Sequence, residues 1–267
     1  MSIDDVIDLT DLTDPADLGL WVRLVGSVGL FRDGAPVPVA EVGSRKARTL
    51  LALLAVHAGH QIGADQVADV LWDGRPTPRA GGNIATLVSR LRAALGGDVI
   101  IGGRVAGYRL GPVVRVDLKV ATGLVTRAER ALAAERAVAA LALTERALDL
   151  LDDTVVLADQ SEVDWAQPAR LLHADLLRRA RHARAHAALL TGDAATAAAA
   201  AQAAVHADPL DEAAYRALMR AYHTNGEPAR ALLAYQRLRV TLADELGAHP
   251  AQSTRHLHTE ILQDRAS

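Results

Sequence analysis

The chain has no cysteine, and only eight aromatic residues (one Phe, three Trp, four Tyr) among its 267. Without cysteine there is no disulfide and no thiolate metal site, and nothing argues for an oxidising compartment. Half the residues are hydrophobic. With so few rings, the core must be leucine, valine and alanine, a composition typical of packed helices. Long apolar runs are missing as well: a stretch such as Leu50 to Val56 is too short to cross a bilayer. The first residues carry no lysine or arginine, so the basic start of a signal peptide is absent. These absences predict a soluble, cytoplasmic protein without membrane contact. Catalytic motifs are equally scarce. There is no GxxxxGK[ST] phosphate loop, and Ser27 lies in Gly-Ser-Val-Gly, which is not the GxSxG elbow. The expectation is no enzyme and no cofactor.

The net charge of −3 is unevenly spread. Residues 1–19 hold six aspartates and no base, and read as an acidic disordered tail. Residues 20–111 hold eleven Lys/Arg against six acids, giving +5, whereas residues 112–267 come to −2. Only the middle segment suits a polyanion. The tail also suggests an intramolecular competitor for that segment.

The basic segment has a readable order. Trp21 to Leu30, then Val37 and Val39 beyond Gly34, read as short antiparallel strands. Ser44 can cap a helix running to about His57. A short strand at Gln61 and Ile62 and a second helix from Ala64 to Trp72 follow. Thr77-Pro78 then signals a third helix, with threonine as cap and proline at its first position. That helix ends at Leu95 before Gly96-Gly97, and Ile84, Leu87, Val88, Leu91 and Leu95 make its inner stripe. Val99 to Leu110 reads as a hairpin that turns at Gly102-Gly103. Three helices followed by a hairpin form a winged helix.

From Asp117 onward the pattern is helical, with elements expected at 117–131, 135–151, 162–190, 194–206, 211–224, 228–246 and 251–263. Gly192 and Gly226, each in a turn before an alanine-rich helix, stand 34 residues apart. That is the period of tetratricopeptide helix pairs. Segment 133–151 fits as a degenerate first member. The fold class is therefore mainly α: an N-terminal OmpR-like winged helix-turn-helix (α+β), then an all-α tetratricopeptide-like domain. The domains are drawn at 1–19, 20–111 and 112–267.

Several motifs occur together. They are Gly43-Ser44-Arg45-Lys46-Ala47-Arg48 with Leu50 to Leu54, Val70-Leu71-Trp72, Val88 to Gly96 (VSRLRAALG) and Gly107-Tyr108-Arg109-Leu110. In that order they resemble the Streptomyces antibiotic regulatory protein family. Ala234-Tyr235-Gln236-Arg237 and Leu242 to Gly247 (LADELG) resemble its bacterial transcriptional activation domain. The resemblance implies an activator that binds direct repeats in double-stranded promoter DNA and contacts RNA polymerase holoenzyme, in control of a secondary-metabolite gene cluster. It leaves room for a homodimer. With the chain ending at Ser267, no appended nucleotide-hydrolysing or phosphopeptide-binding module is expected. Two departures stand out: the acidic extension 1–19, and Gly82, Ala85 and Leu87 where members often carry polar groups. The rival readings are a helical-repeat scaffold and a ligand-sensing regulator, in either of which the winged helix makes protein contacts.

DNA binding needs cations for phosphates and polar groups for base edges. Opposite the inner stripe of the third helix lie Asn83, Thr86, Ser89, Arg90 and Ala93, with Arg79 in the first turn and Arg92 on the flank. Arg90 is the leading candidate for a guanine contact. Arg104, Tyr108 and Arg109 belong to the hairpin, with Arg104 nearest its tip and Tyr108 read as core with its hydroxyl outward. Arg45, Lys46 and Arg48 suit either phosphate or an acidic patch on polymerase. Gly81 and Gly82 read equally as a close approach to phosphate or as a frayed helix start. Arg178, Arg179, Arg181 and Arg184 read chiefly as a solvated face paired with local acids, or else as an interface. His182 and His186 have no third ligand nearby, so no metal is expected.

Overall fold

In the computed structural model, residues 19–75, 78–160 and 163–264 are described. The acidic segment 1–18 and the expected cap Thr77 lie outside them. The chain divides into two compact units, one ending at Val120 but including Asp153–His173, the other made of Ala121–Asp152 and everything from Ala174.

The first unit opens with β1 (Leu20–Arg23), β2 (Gly29–Arg32) and β3 (Ala35–Pro36) as an antiparallel meander. Strand β6 (Val114–Val116) returns to pair parallel with β1, giving the order β3-β2-β1-β6. This strand lies beyond the boundary expected at 111. Its Val114 and Val116 alternate inward about a half-buried Arg115. Asp117, only 1% exposed, locks the strand end to the next helix. Its carboxylate accepts the backbone N–H groups of Leu24, Val25 and Leu118 at 2.7–2.8 Å. Burial pushes its pKa up, and the three donors oppose that rise.

Where Val39 was read as strand, a one-turn helix α1 (Val39–Val42) forms instead. Helix α2 (Arg45–Val56) starts as expected, with the Ser44 hydroxyl accepting from the Ala47 N–H. Its leucines 50, 51, 53 and 54 are all buried. Helix α3 (Ala64–Leu71) follows, then α4 (Ala80–Leu95). The start of α4 is a correction. Its N-cap is Arg79 in a left-handed conformation (φ 63°), so Pro78 stands outside the helix and not at its first position. A non-glycine residue is strained there, and such strain gathers at functional sites.

The hairpin is β4 (Ile100–Gly103) and β5 (Gly107–Leu110). Its turn is Arg104 to Ala106, not Gly102-Gly103, because both glycines pair within the strands. Close approach explains Gly102: a Cβ there would stand 2.1 Å from the Gly107 carbonyl oxygen. Ile62 bridges Tyr108, with both backbone hydrogen bonds at 2.8 Å. The expected strand at Gln61 and Ile62 is therefore a third rung on the wing.

The remaining helices fall close to expectation. They are α5 (Asp117–Ala133), α6 (Ala137–Leu151), α7 (Gln167–Leu190), α8 (Ala194–Ala207), α9 (Glu212–Thr224), α10 (Pro228–Leu246) and α11 (Gln252–Asp264). Helix α7 starts five residues later than expected, after a 3-10 turn at Asp164–Ala166. In the second unit, α8, α9 and α10 pack through Ala201, Tyr215, Leu218, Met219, Ala231 and Leu238, all buried. Small side chains on α8 and α10 let the helices approach closely. Gly192 and Gly226 adopt positive φ in the turns, and Asp193 and Asp211 cap the helices α8 and α9. This is a tetratricopeptide-like stack.

Candidate nucleic-acid interface

Helix α4 divides its residues as its periodicity requires. Ile84, Val88, Leu91 and Leu95 are buried and Leu87 is half-buried. On the other side Asn83, Thr86, Ser89, Arg90 and Ala93 are exposed. Arg79 precedes this face at the N-terminal end, also exposed. Neither the Arg79 nor the Arg90 guanidinium has a hydrogen-bond or ion-pair partner among the described residues. Thr86 donates to the Gly82 carbonyl at 3.0 Å, so its hydroxyl is partly occupied by its own helix.

Arg92 is engaged differently. Its Nε donates to the Ile100 carbonyl at 2.8 Å and its Nη2 to that of Gly102 at 2.9 Å. The guanidinium pins α4 to the wing through two of its five N–H donors. Arg32 does a related job from β2, donating to the Ala94 carbonyl at the same C-terminal end of α4 at 3.1 Å. These three bonds were missed from sequence, because a surface arginine is the same residue whether it faces solvent or a neighbouring carbonyl.

The wing contributes one cation at its tip. Arg104 is exposed and its side chain crosses Gly81, where a Cβ would stand 2.8 Å from Arg104 Nε. Gly81 thus makes room for the wing arginine, a use not read from the sequence, and no fraying of the helix start need be invoked. Nothing crowds Gly82. Tyr108 is 2% exposed and belongs to the core, so contact through its ring is excluded in this conformation. Arg109 is half-buried in β5.

The cations of α2 separate as well. Arg48 donates to the Gly43 carbonyl at 3.0 Å, closing the end of α1. Lys46 Nζ stands 4.3 Å from the centre of the Trp72 ring, a cation–π contact worth about 0.5–1 kcal/mol at an exposed site. Arg45 is exposed and has no partner among the described residues. The groups left for a ligand are Arg79, Asn83, Ser89, Arg90 and Arg104, with Arg45 and the half-buried Arg109 apart.

The bacterial transcriptional activator domain family matches residues 116–262. MoaR1, a transcriptional regulatory protein of Mycobacterium bovis, is 30% identical over 90% of this chain and 78% of its own length. The chain belongs to the Streptomyces antibiotic regulatory protein family. This is a family of transcriptional regulators and not of enzymes. AfsR of Streptomyces coelicolor, a regulatory protein, is 32% identical over 90% of the chain. The solved structure of Mycobacterium tuberculosis EmbR in complex with a low-affinity phosphopeptide superposes with a TM-score of 0.78 at 30% identity, covering 92% of this chain. The likeness carries the fold class: an OmpR-like winged helix with a tetratricopeptide-like body. The chain spans 63% of the length of EmbR and 24% of that of AfsR. Among the described residues, no helix is long and apolar enough to cross a membrane.

For this family member, the residues that the sequence placed on the outward face of α4 are all exposed. Sequence reasoning missed the division of labour among the arginines and the Arg104–Gly81 contact. The glycine doublet beside a basic wing tip was the available signal.

Proposed function

We propose that this chain is a sequence-specific activator whose first unit binds promoter repeats in double-stranded DNA, with α4 in the major groove and the Arg104 wing tip beside it on the backbone. The observation that carries this is the outward face of α4. Arg90 stands there with a free guanidinium, opposite a stripe whose core residues are buried. A guanidinium can hold guanine O6 and N7 through two parallel hydrogen bonds, worth about 1–3 kcal/mol in discrimination. Arg79 and Arg104 supply phosphate contacts, and Asn83 and Ser89 supply polar reach to base edges. The second unit recruits RNA polymerase holoenzyme. The regulated genes are a secondary-metabolite cluster, the working site is the cytoplasmic nucleoid, and a homodimer on paired repeats is compatible with this reading.

Binding to the DNA upstream of the chain's own gene, measured against salt, tests the proposal. Each phosphate neutralised adds about −0.9 to the slope of log K against log salt. A slope near zero, or equal affinity for unrelated DNA, would refute it. RNA polymerase pull-down tests the recruitment arm separately.

A further inference from the structure

Within the second unit, a cleft of about 500 Å³ opens between α5, α7 and α9. Its walls carry two rows of cations. From α7 come Arg178, His182 and His186, spaced four residues apart on one face, with Arg179 beside them; from α9 come Arg216 and Arg220, also four apart. The floor is apolar, with Leu132, Leu189 and Ala217. Acids offset only part of this charge. Arg179 is held by Glu129 at 2.6 Å and Arg178 by Asp175 at 2.7 Å, while Asp211 takes up His182 at 2.5 Å. Arg216 donates to the Thr254 hydroxyl at 3.0 Å, and that hydroxyl donates in turn to Glu212 at 2.6 Å. Arg220 and His186 are exposed and have no partner among the described residues.

We infer that this cleft is a docking site for an extended acidic peptide segment of a partner protein, one that alternates carboxylates with an apolar side chain. The site lies wholly in the second unit and does not rest on the DNA-binding reading. Three features select this occupant. The cleft lining holds four arginines against one carboxylate, Glu129, so the occupant is an anion. The α7 row from Arg178 to His186 runs about 12 Å along the helix, the length of about four extended residues. The cleft is an open trough with exposed cations on its rim, whereas small-molecule sites bury about 70–90% of their ligand. The apolar floor takes side chains that a simple polyanion would not offer.

The test is fluorescence anisotropy with the full chain and a fluorescein-labelled peptide, Asp-Leu-Glu-Glu-Leu-Asp-Glu. Saturable binding that weakens with salt is expected. Arg220→Glu weakens it on the order of tenfold, and Arg178→Glu does the same. Arg239→Glu, an equal charge change at an exposed residue outside the cleft, leaves affinity unaltered. Circular dichroism checks that each variant keeps its helices. No saturable binding, or equal losses in Arg220→Glu and Arg239→Glu, would overturn the inference. So would an equal affinity for the peptide with lysine at every acid, or displacement by citrate as readily as by unlabelled peptide. The last result would mark a small-anion site.

Discussion

Arg90 and Arg92 stand two residues apart on one helix, and replacing each by alanine should give opposite results. Arg92 makes two hydrogen bonds from a charged group to backbone carbonyls, at 2.8 and 2.9 Å. Such bonds contribute about 1.5–3 kcal/mol each. Arg92 is only half-buried, so water recovers part of the loss, and about 2 kcal/mol is the expected cost for the pair. Alanine and arginine are both good helix formers, so propensity offsets little of this. Arg90 is exposed and unbonded, and its removal should change stability by no more than about 0.5 kcal/mol. All three tryptophans (Trp21, Trp72 and Trp165) lie in the first unit. Tryptophan fluorescence in urea therefore reads that unit alone. With a slope of about 1–3 kcal/mol per molar urea, Arg92→Ala should lower the midpoint by roughly 1 M. Arg90→Ala should leave it in place. An unchanged midpoint for Arg92→Ala, or an equal drop for both, would refute the assignment of one arginine to the wing and the other to solvent.

Gly81→Ala should keep or raise stability in the same urea titration, by up to about 1 kcal/mol from helix propensity. The same change should weaken DNA binding, because the new methyl displaces Arg104; unchanged affinity would detach that arginine from the site. Asp117→Ala strands three buried backbone N–H groups and should cost about 3 kcal/mol or more. Asp117→Asn, which keeps one acceptor, should cost less in the same fluorescence titration. The second unit should lose stability in acid. Arg179 bonding holds Glu129 below the usual carboxylate range, and Arg178 bonding does the same for Asp175. Burial raises Asp211, but the Ala214 and Ala213 N–H groups and His182 outweigh it and leave its carboxyl low. Carboxylates depressed in the folded state stabilise it above their unfolded pKa, and that stability goes as pH falls below about 4. Helical circular dichroism against pH checks this, and a flat response down to pH 2 would contradict it.

The order of elements was legible because local rules agreed with the fold. The Ser44 cap, the leucines of α2, the stripe of α4 and the 34-residue glycine spacing each fix an element within a few residues. What escaped was non-local. Strand β6 is three residues long and owes its existence to parallel pairing with β1. The return of Asp153–His173 to the first unit depends on bonds such as Leu157 N–H to the Leu24 carbonyl. No periodicity announces either. The turn of the hairpin was misplaced because glycines were read as turn formers, whereas Gly102 and Gly107 serve close backbone approach within the strands. At the site, the outward face followed from helical spacing. Which arginines remain available depended on neighbouring carbonyls supplied by other elements.

The most direct measurement is the affinity of Arg90→Ala for DNA upstream of the chain's own gene, read beside a footprint of the unaltered chain. A loss of about 1–3 kcal/mol is expected, with one base position relaxed and the footprint otherwise in register. Unaltered affinity and an unaltered footprint, in a variant that remains folded, would contradict the placement of α4 in the groove.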